Sequence, residues 1–437
     1  MIKKGLIYSL CLFFFSFQSK AQKFNTGIDS SFFMKDTVRP VIKRFENIII
    51  SGYMQPQFQV AQSDGAPSYA GGNFSQFSQS RFMLRRARLK VDYLLKSKEN
   101  YAKALFTFQL NATEKEVVVW DMFVKLFESK HNNLALTMGF FSRPFGFEVN
   151  YSSSHRETPE RGRMSQILMP GERDIGAMFS FEPQNKNHKL YHLKLDAGFF
   201  NGVGASGVTD FDSHKDFISR LTIKPYIINK VELSGGISFL RGGWKNGTKY
   251  VYKSGTSATG DKIFVVDSSL SNLGKSSPRH YYGADVQFKI HHQWGTTELR
   301  AEHWFGTQPG TATSTTNPGT LPTVNGLPIP TYVRHFNGSF FYFIQNIINT
   351  NHQLLVKYDW YDPNIKVSKL KIGKAGTNLT EADIKFSTLG LGYAYFFNPN
   401  TKIIFYYDIV KSESTLISGY TTDLKDNIFT CRLQFRF

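Results

Sequence analysis

The sequence predicts an all-β fold, a transmembrane antiparallel β-barrel of about 16 strands, on three observations: an export signal, an alternating aromatic C-terminal strand and dyad patterning between them. At the C-terminus Phe429, Cys431, Leu433, Phe435 and Phe437 fall on one face and Thr430, Arg432, Gln434 and Arg436 on the other. At the N-terminus Met1 to Ala21 has Lys3 and Lys4, an apolar run from Gly5 to Phe17 and a small-residue exit at Ser19-Lys20-Ala21. That is the anatomy of a signal peptide removed on Sec-type export. An exported chain that alternates greasy and wet faces can point the greasy face at lipid and the wet one at a water-filled lumen.

Composition agrees with this reading. Beyond the signal no apolar run reaches the ~18 residues a spanning helix needs. Aromatics make up 15% of residues, with 41 Phe and 21 Tyr, which suits interfacial girdles. Cys11 leaves with the signal and lies too early for lipoprotein acylation; Cys431 then stands alone, so no intrachain disulfide is expected. Losing Lys3, Lys4 and Lys20 takes Lys+Arg from 52 to 49 against 34 Asp+Glu, a basic balance that favours anionic partners.

Residues 22–45 lack the dyad pattern and read as a periplasmic N-terminal arm; 46–437 read as one barrel domain. Strands are predicted over 46–61, 80–95, 101–111, 116–128, 134–142, 173–182, 189–201, 216–226, 231–242, 279–290, 296–305, 338–346, 352–361, 383–397, 401–411 and 424–437. Short links such as Asn398-Pro399-Asn400 alternate with long ones at 62–79, 143–172, 243–278, 306–337 and 362–382. That rhythm is the one expected of periplasmic turns and external loops, and an even count brings both ends to the periplasmic side.

Charge fixes which face is which. In the second strand Arg86, Arg88, Lys90 and Asp92 share parity against Ala87, Leu89, Val91 and Tyr93. A cation in mid-lipid costs roughly 2–4 kcal/mol, so these side chains are assigned to the lumen. Lys103, Thr107 and Gln109 follow in the third strand, and Asp121 and Lys125 in the fourth, where Trp120, Met122, Val124 and Leu126 take the lipid face. Later strands repeat the pattern with Arg220, Thr222 and Lys224, with Glu298, Arg300 and Glu302, with Lys357 and Asp359, and with Arg432 and Arg436. Arg85 breaks parity, which points to a bulge or the rim.

The link after the fifth strand is dense in Arg, aromatic and carboxylate side chains: Arg143-Pro144-Phe145-Gly146-Phe147-Glu148, then His155 to Arg163, then Met169 to Asp174. Thr158 before Pro159 reads as a helix start and Pro170-Gly171 as a stop, giving a helix of about ten residues. Folded into the lumen, such a loop would narrow the passage and set guanidinium forks, good binders of phosphate and other oxyanions, beside the solute. The candidate pore-lining, anion-binding residues are therefore Arg86, Arg88, Lys90, Lys103, Lys125, Arg143, Arg156, Arg161, Arg163, Arg173, Arg220 and Lys224. Two plainer readings stand beside this one. The strand cations are also what any hydrated lining needs, and Arg143, Arg161 and Arg173 could pair with Glu148, Glu160, Glu172 and Asp174 simply to hold the loop.

Phe82-Met83-Leu84-Arg85-Arg86-Ala87-Arg88-Leu89, Phe140-Phe141-Ser142-Arg143-Pro144-Phe145-Gly146, Arg156-Glu157-Thr158-Pro159-Glu160-Arg161 and Pro170-Gly171-Glu172-Arg173-Asp174-Ile175-Gly176 resemble the porin O and P family, the phosphate-selective outer-membrane porins. The resemblance covers roughly Gly52 to Phe200 and the terminal aromatic strand. It implies sixteen strands, a homotrimer, a third external loop folded inward and basic residues leading anions through.

The functional expectation is a passive diffusion channel with a preference for anions, phosphate or related oxyanions among them. It would sit in the outer membrane of a Gram-negative bacterium, against lipid and lipopolysaccharide, with no cofactor, metal or nucleic acid. The alternatives are a structural or adhesive platform working through loops 243–278 and 306–337 and, less well supported, a barrel-borne hydrolase. Gly202-Val203-Gly204-Ala205-Ser206-Gly207 fits a dinucleotide fingerprint in spacing only, without the strand, helix and later acid it needs. His291-His292 has no further ligands at usable spacing. A plugged transporter would need about 22 strands.

Overall fold

The computed structural model describes residues 47–97, 101–128, 132–205 and 210–437. The signal segment 1–21 and the arm 22–45 lie outside the described residues. In chain order the strands are β1 (Ile48–Ala61), β2 (Ser80–Lys96), β3 (Ala102–Ala112), β4 (Val117–Phe127), β5 (Leu134–Ser142), β6 (Arg173–Phe181), β7 (Leu193–Phe200), β8 (Asp216–Ile228), β9 (Val231–Lys245), β10 (Val251–Thr256) and β11 (Lys262–Asp267). They continue as β12 (Ser276–His292), β13 (Gly295–Gly310), β14 (Thr323–Val324), β15 (Leu327–Pro328), β16 (Thr331–Ile347), β17 (His352–Asp362), β18 (Phe386–Asn398), β19 (Thr401–Ser412) and β20 (Ile428–Arg436). All but β10, β11, β14 and β15 form a closed antiparallel barrel of 16 strands.

Each strand expected from dyad patterning coincides with one barrel strand. Closure runs from Tyr53↔Arg436 to Ala61↔Ile428, and Gly52 and Phe437 exchange backbone hydrogen bonds of 3.0 and 2.9 Å. The terminal aromatic thus seals the seam and leaves no open edge in hydrocarbon. The hairpins β10–β11 and β14–β15 were not anticipated, because they lie in long loops whose alternation is too short to register. Strands β12, β13 and β16 also run past the expected 279–290, 296–305 and 338–346. Beyond the lipid band the ladder continues through polar pairs such as Gln308↔Arg334.

Facing follows the transfer cost of charge. Arg86 is 7% exposed and Leu89 45%, since a lumen side chain is covered by loop and wall while a lipid-facing one looks outward. Of the register shifts in the ladder, two change the facing of side chains near the inward loop. Pro56 has no N–H to give the ladder, and the β1–β2 register shifts between Gln55 and Pro56, leaving Arg85 as the extra residue. Arg85 and Arg86 consequently turn the same way. The second bulge, between Gln109 and Leu110 of β3, makes Trp120 the extra residue on β4. Trp120, expected on the lipid face, instead reaches the lumen, where the Arg88 and Arg173 guanidiniums lie 4.2 and 5.1 Å from its ring.

The loop between β5 and β6 carries α1 (Phe147–Asn150) and α2 (Arg163–Leu168). The expected helix start at Thr158 is corrected: α2 begins after Gly162 and is only 6 residues long. Thr158 donates its hydroxyl to the Glu160 carbonyl at 2.8 Å instead of capping a helix, and the Glu160 side chain is drawn away to the wall. The Pro170-Gly171 stop stands, with Gly171 at φ +66° where only glycine sits without strain. The loop crosses the lumen and builds most of the apolar core there, packing Phe145, Met164, Leu168 and Met169 against Trp304 and Phe336.

Candidate functional site

The inward loop is acidic where it meets a basic wall. Glu160 accepts from Arg85 at 2.9 Å and Arg86 at 2.5 Å on β2 and from Arg432 at 2.9 Å on β20. Glu157 takes both prongs of Arg300 on β13, at 2.8 and 2.9 Å. Glu148 accepts from the Tyr342 hydroxyl at 2.9 Å, and Lys357 lies 3.7 Å away. Polarity reverses at one point, where the wall carboxylate Glu302 accepts the backbone N–H groups of Phe147 and Glu148, each at 2.9 Å, in the first turn of α1. Gly146 permits that approach, because its φ is +69° and a Cβ there would land on the Glu302 carboxylate. Buried, charge-assisted and partly bidentate, these contacts latch the loop across the lumen.

Within the loop, Arg161 meets Glu172 at 2.9 Å, and Arg173 bridges Glu172 to Asp121, the latter at 3.1 Å. Burial alone would raise the carboxyls of Glu160 and Glu172, but the guanidiniums around them outweigh it. Arg85, Arg86 and Arg432 hold Glu160 well below the ordinary carboxylate range; Arg161, Arg173, Arg156 and Arg88 bring Glu172 down to about 2. A depressed carboxyl stabilises the folded state fully above the ordinary value and loses that contribution as pH falls through the folded one. For Glu172 the difference is on the order of 3 kcal/mol. Resistance of the loop to pepsin, assayed at each pH, should therefore hold down to about pH 4 and fail only near pH 2 to 3. Release already at pH 5 would show that these carboxylates do not carry the latch.

The candidate residues fall into separate environments. Arg86 is committed to Glu160, Lys90 lies 2.8 Å from Asp92, and Arg220 lies 2.6 Å from Asp285. Lys224 reaches the Pro183 carbonyl at 3.0 Å near a short turn, and Lys103 is exposed beside another. Arg143 is buried and donates to the carbonyls of Pro170 and Glu172 at 3.3 and 3.4 Å, so it holds the ends of the loop. Arg156 is likewise inside the loop, 3.8 Å from Glu172. Arg163 lies over the rings of Tyr69 and Phe386, at 4.4 and 3.7 Å. Arg88 donates to Asn111 at 3.1 Å and stacks on Trp120, and Lys125 lies 5.2 Å from the Phe127 ring; among the described residues neither has a carboxylate within ion-pair distance.

Glu148 and Glu160, expected as partners for arginines of their own loop, both reach the wall instead. Trp120 at the lumen and the capture of α1 by Glu302 were not anticipated either. A proline facing a strand with broken parity could have signalled the first bulge, whereas no local pattern signals the other two features. Among the described residues no group of three His, Cys, Asp or Glu is placed to hold a metal ion.

A lipid-facing apolar exterior, a charged lumen and a third loop folded across it give this barrel the outer-membrane porin fold. No protein-family profile matches the sequence, and no curated protein matches it. Solved structures do. The anion-selective porin from Comamonas acidovorans superposes with TM-score 0.53 at 11% identity, covering 89% of this chain and 99% of that one. OprB of Pseudomonas putida gives 0.58 at 9% identity over 91% and 96% of the two chains, and the outer-membrane channel DcaP of Acinetobacter baumannii 0.50 at 10% over 89% and 97%. At such identities the likeness is one of fold.

Proposed function

We propose that the protein is a passive diffusion channel of a Gram-negative outer membrane, in the manner of the porin O and P family, with a preference for small anions such as phosphate. The observation that carries the preference is Arg88. Most lumen cations are neutralised by the latch or by wall carboxylates, but this guanidinium stacks on Trp120 and, like Lys125, makes no ion pair with a carboxylate among the described residues, Glu172 acting on Arg88 only from beyond ion-pair distance. Unpaired cations in a confined aqueous passage attract anions and repel cations. The fold neighbours include an anion-selective porin, which supports the reading by analogy of fold. The assembly proposed is a homotrimer embedded in lipid and lipopolysaccharide.

In a planar bilayer under a KCl gradient the reversal potential should show chloride more permeant than potassium. Arg88→Gln combined with Lys125→Gln should lower the permeability ratio roughly two-fold without unfolding the barrel. Potassium preference in the parent protein would refute the assignment, and competition by phosphate, sulfate and pyrophosphate against chloride current would rank the solutes. The platform reading gains from the packing of external loop residues Phe264, Val367, Ile372 and Leu379 into one cluster with Tyr332. It predicts no conductance at all.

A further inference from the structure

Beyond the anion reading, we propose that the lumen wall below the external mouth holds a niche for the primary ammonium group of a small zwitterionic solute, whose carboxylate meets Arg163. The niche lies above the inward loop, between the loop after β1, strands β17 to β19 and the segment before β20. Several charged groups lining it are already matched. Glu160 is saturated by three guanidiniums, Arg161 by Glu172, and Asp359 by Lys357 at 3.1 Å and the backbone N–H of Arg163 at 3.4 Å.

Four groups are not matched, and they face the same space. Asp426 is 1% exposed and its Oδ1 finds no hydrogen-bond partner among the described residues; the Tyr406 hydroxyl, on a residue 3% exposed, finds none among them either. The Asp408 carboxylate makes no hydrogen bond or ion pair with any described residue. The Arg163 guanidinium lies over the rings of Tyr69 and Phe386, at 4.4 and 3.7 Å, and donates to no described residue, so its N–H groups are unspent. A buried acceptor without a donor is costly, and native structures rarely carry several together. Two carboxylates and a hydroxyl match three N–H donors of an ammonium, while a stacked guanidinium edge matches a carboxylate by two parallel bonds. A lone anion would satisfy Arg163 and leave the acid side unmet; a lone cation would do the reverse.

Shape agrees with that division. Cavity volume is about 40 Å³, enough for a group the size of one or two waters. It therefore admits the ammonium head, with the remainder of the solute in the mouth. The position of Tyr406 is set by Gly390, where a Cβ would land on its hydroxyl.

The test uses the full folded protein in detergent and needs no current through it, so its outcome is independent of the channel assignment. Isothermal titration with glycine at pH 7 should give saturable binding, with acetate and methylammonium each weaker by about ten-fold or more. Asp408→Asn with Asp426→Asn should weaken glycine by at least about ten-fold, and so should Arg163→Gln; Gly390→Ala should weaken it by displacing the tyrosine hydroxyl. Heat-modifiable gel mobility verifies that each variant is folded, and Asp426→Asn alone, in a loop outside the barrel, supplies a reading if the double variant does not fold. Absence of saturable glycine binding overturns the proposal. So does acetate or methylammonium binding as tightly as glycine, or glycine binding unchanged in the folded variants.

Discussion

Replacing Glu160 by Ala should free the inward loop from the wall. The substitution leaves Arg85, Arg86 and Arg432 close together without their shared anion, and removing one member of a buried ion pair costs on the order of 3–5 kcal/mol. A change of that size raises the released population by roughly two to four orders of magnitude. The measurement is limited trypsin digestion of the folded barrel, with cleavage expected at Arg156, Arg161 or Arg163, together with single-channel conductance, which should rise. Glu160→Gln, which keeps an acceptor and the shape, should lie between the two. A loop as protected in the alanine variant as in the parent protein would show that apolar packing, and not charge, holds it.

Trp304→Ala examines that apolar anchor. Trp304 is 0% exposed, meets the Phe145 ring edge-on with centroids 4.7 Å apart, and donates its indole N–H to Glu302 at 2.6 Å. Truncating a buried tryptophan costs about 3–5 kcal/mol through lost contact and residual cavity. Here it also strips a donor from the carboxylate that captures α1. Urea-induced unfolding from lipid vesicles should shift accordingly, and the loop should become cleavable even with Glu160 intact. A loss below about 1 kcal/mol would mean that Phe145 and its neighbours collapse into the gap, and the anchor would have to be sought elsewhere.

Much of the barrel was legible because lipid acts on each residue separately. A guanidinium in hydrocarbon is penalised whatever its neighbours, so Arg86, Arg88, Thr107, Asp121 and Arg432 declare their face by parity alone. Turn residues then mark where each strand stops. Two exceptions, Arg85 and Trp120, arise from register shifts in the ladder, and a pattern with period two does not record an inserted residue on the neighbouring strand.

The candidate site was legible in its residue types and much less so in its pairings. Arg143 and Arg163 have the same chemistry and both lie in the loop, yet one is consumed by carbonyls of the loop ends and the other packs on the rings of Tyr69 and Phe386. Glu148 and Glu172 read alike in sequence, but one reaches the far wall and the other closes on arginines of its own loop and of β6.

Sequence by itself therefore determined the strand count, the lumen-facing parity and the presence of a charged third loop, because each follows from local periodicity or from the solvent each side chain must meet. Tertiary structure alone decided which cations are paired with a carboxylate and which, among the described residues, are not. Glu160 meets Arg85 and Arg432 across sequence separations of 75 and 272 residues, and only the path of the loop through the closed barrel brings them within hydrogen-bond reach.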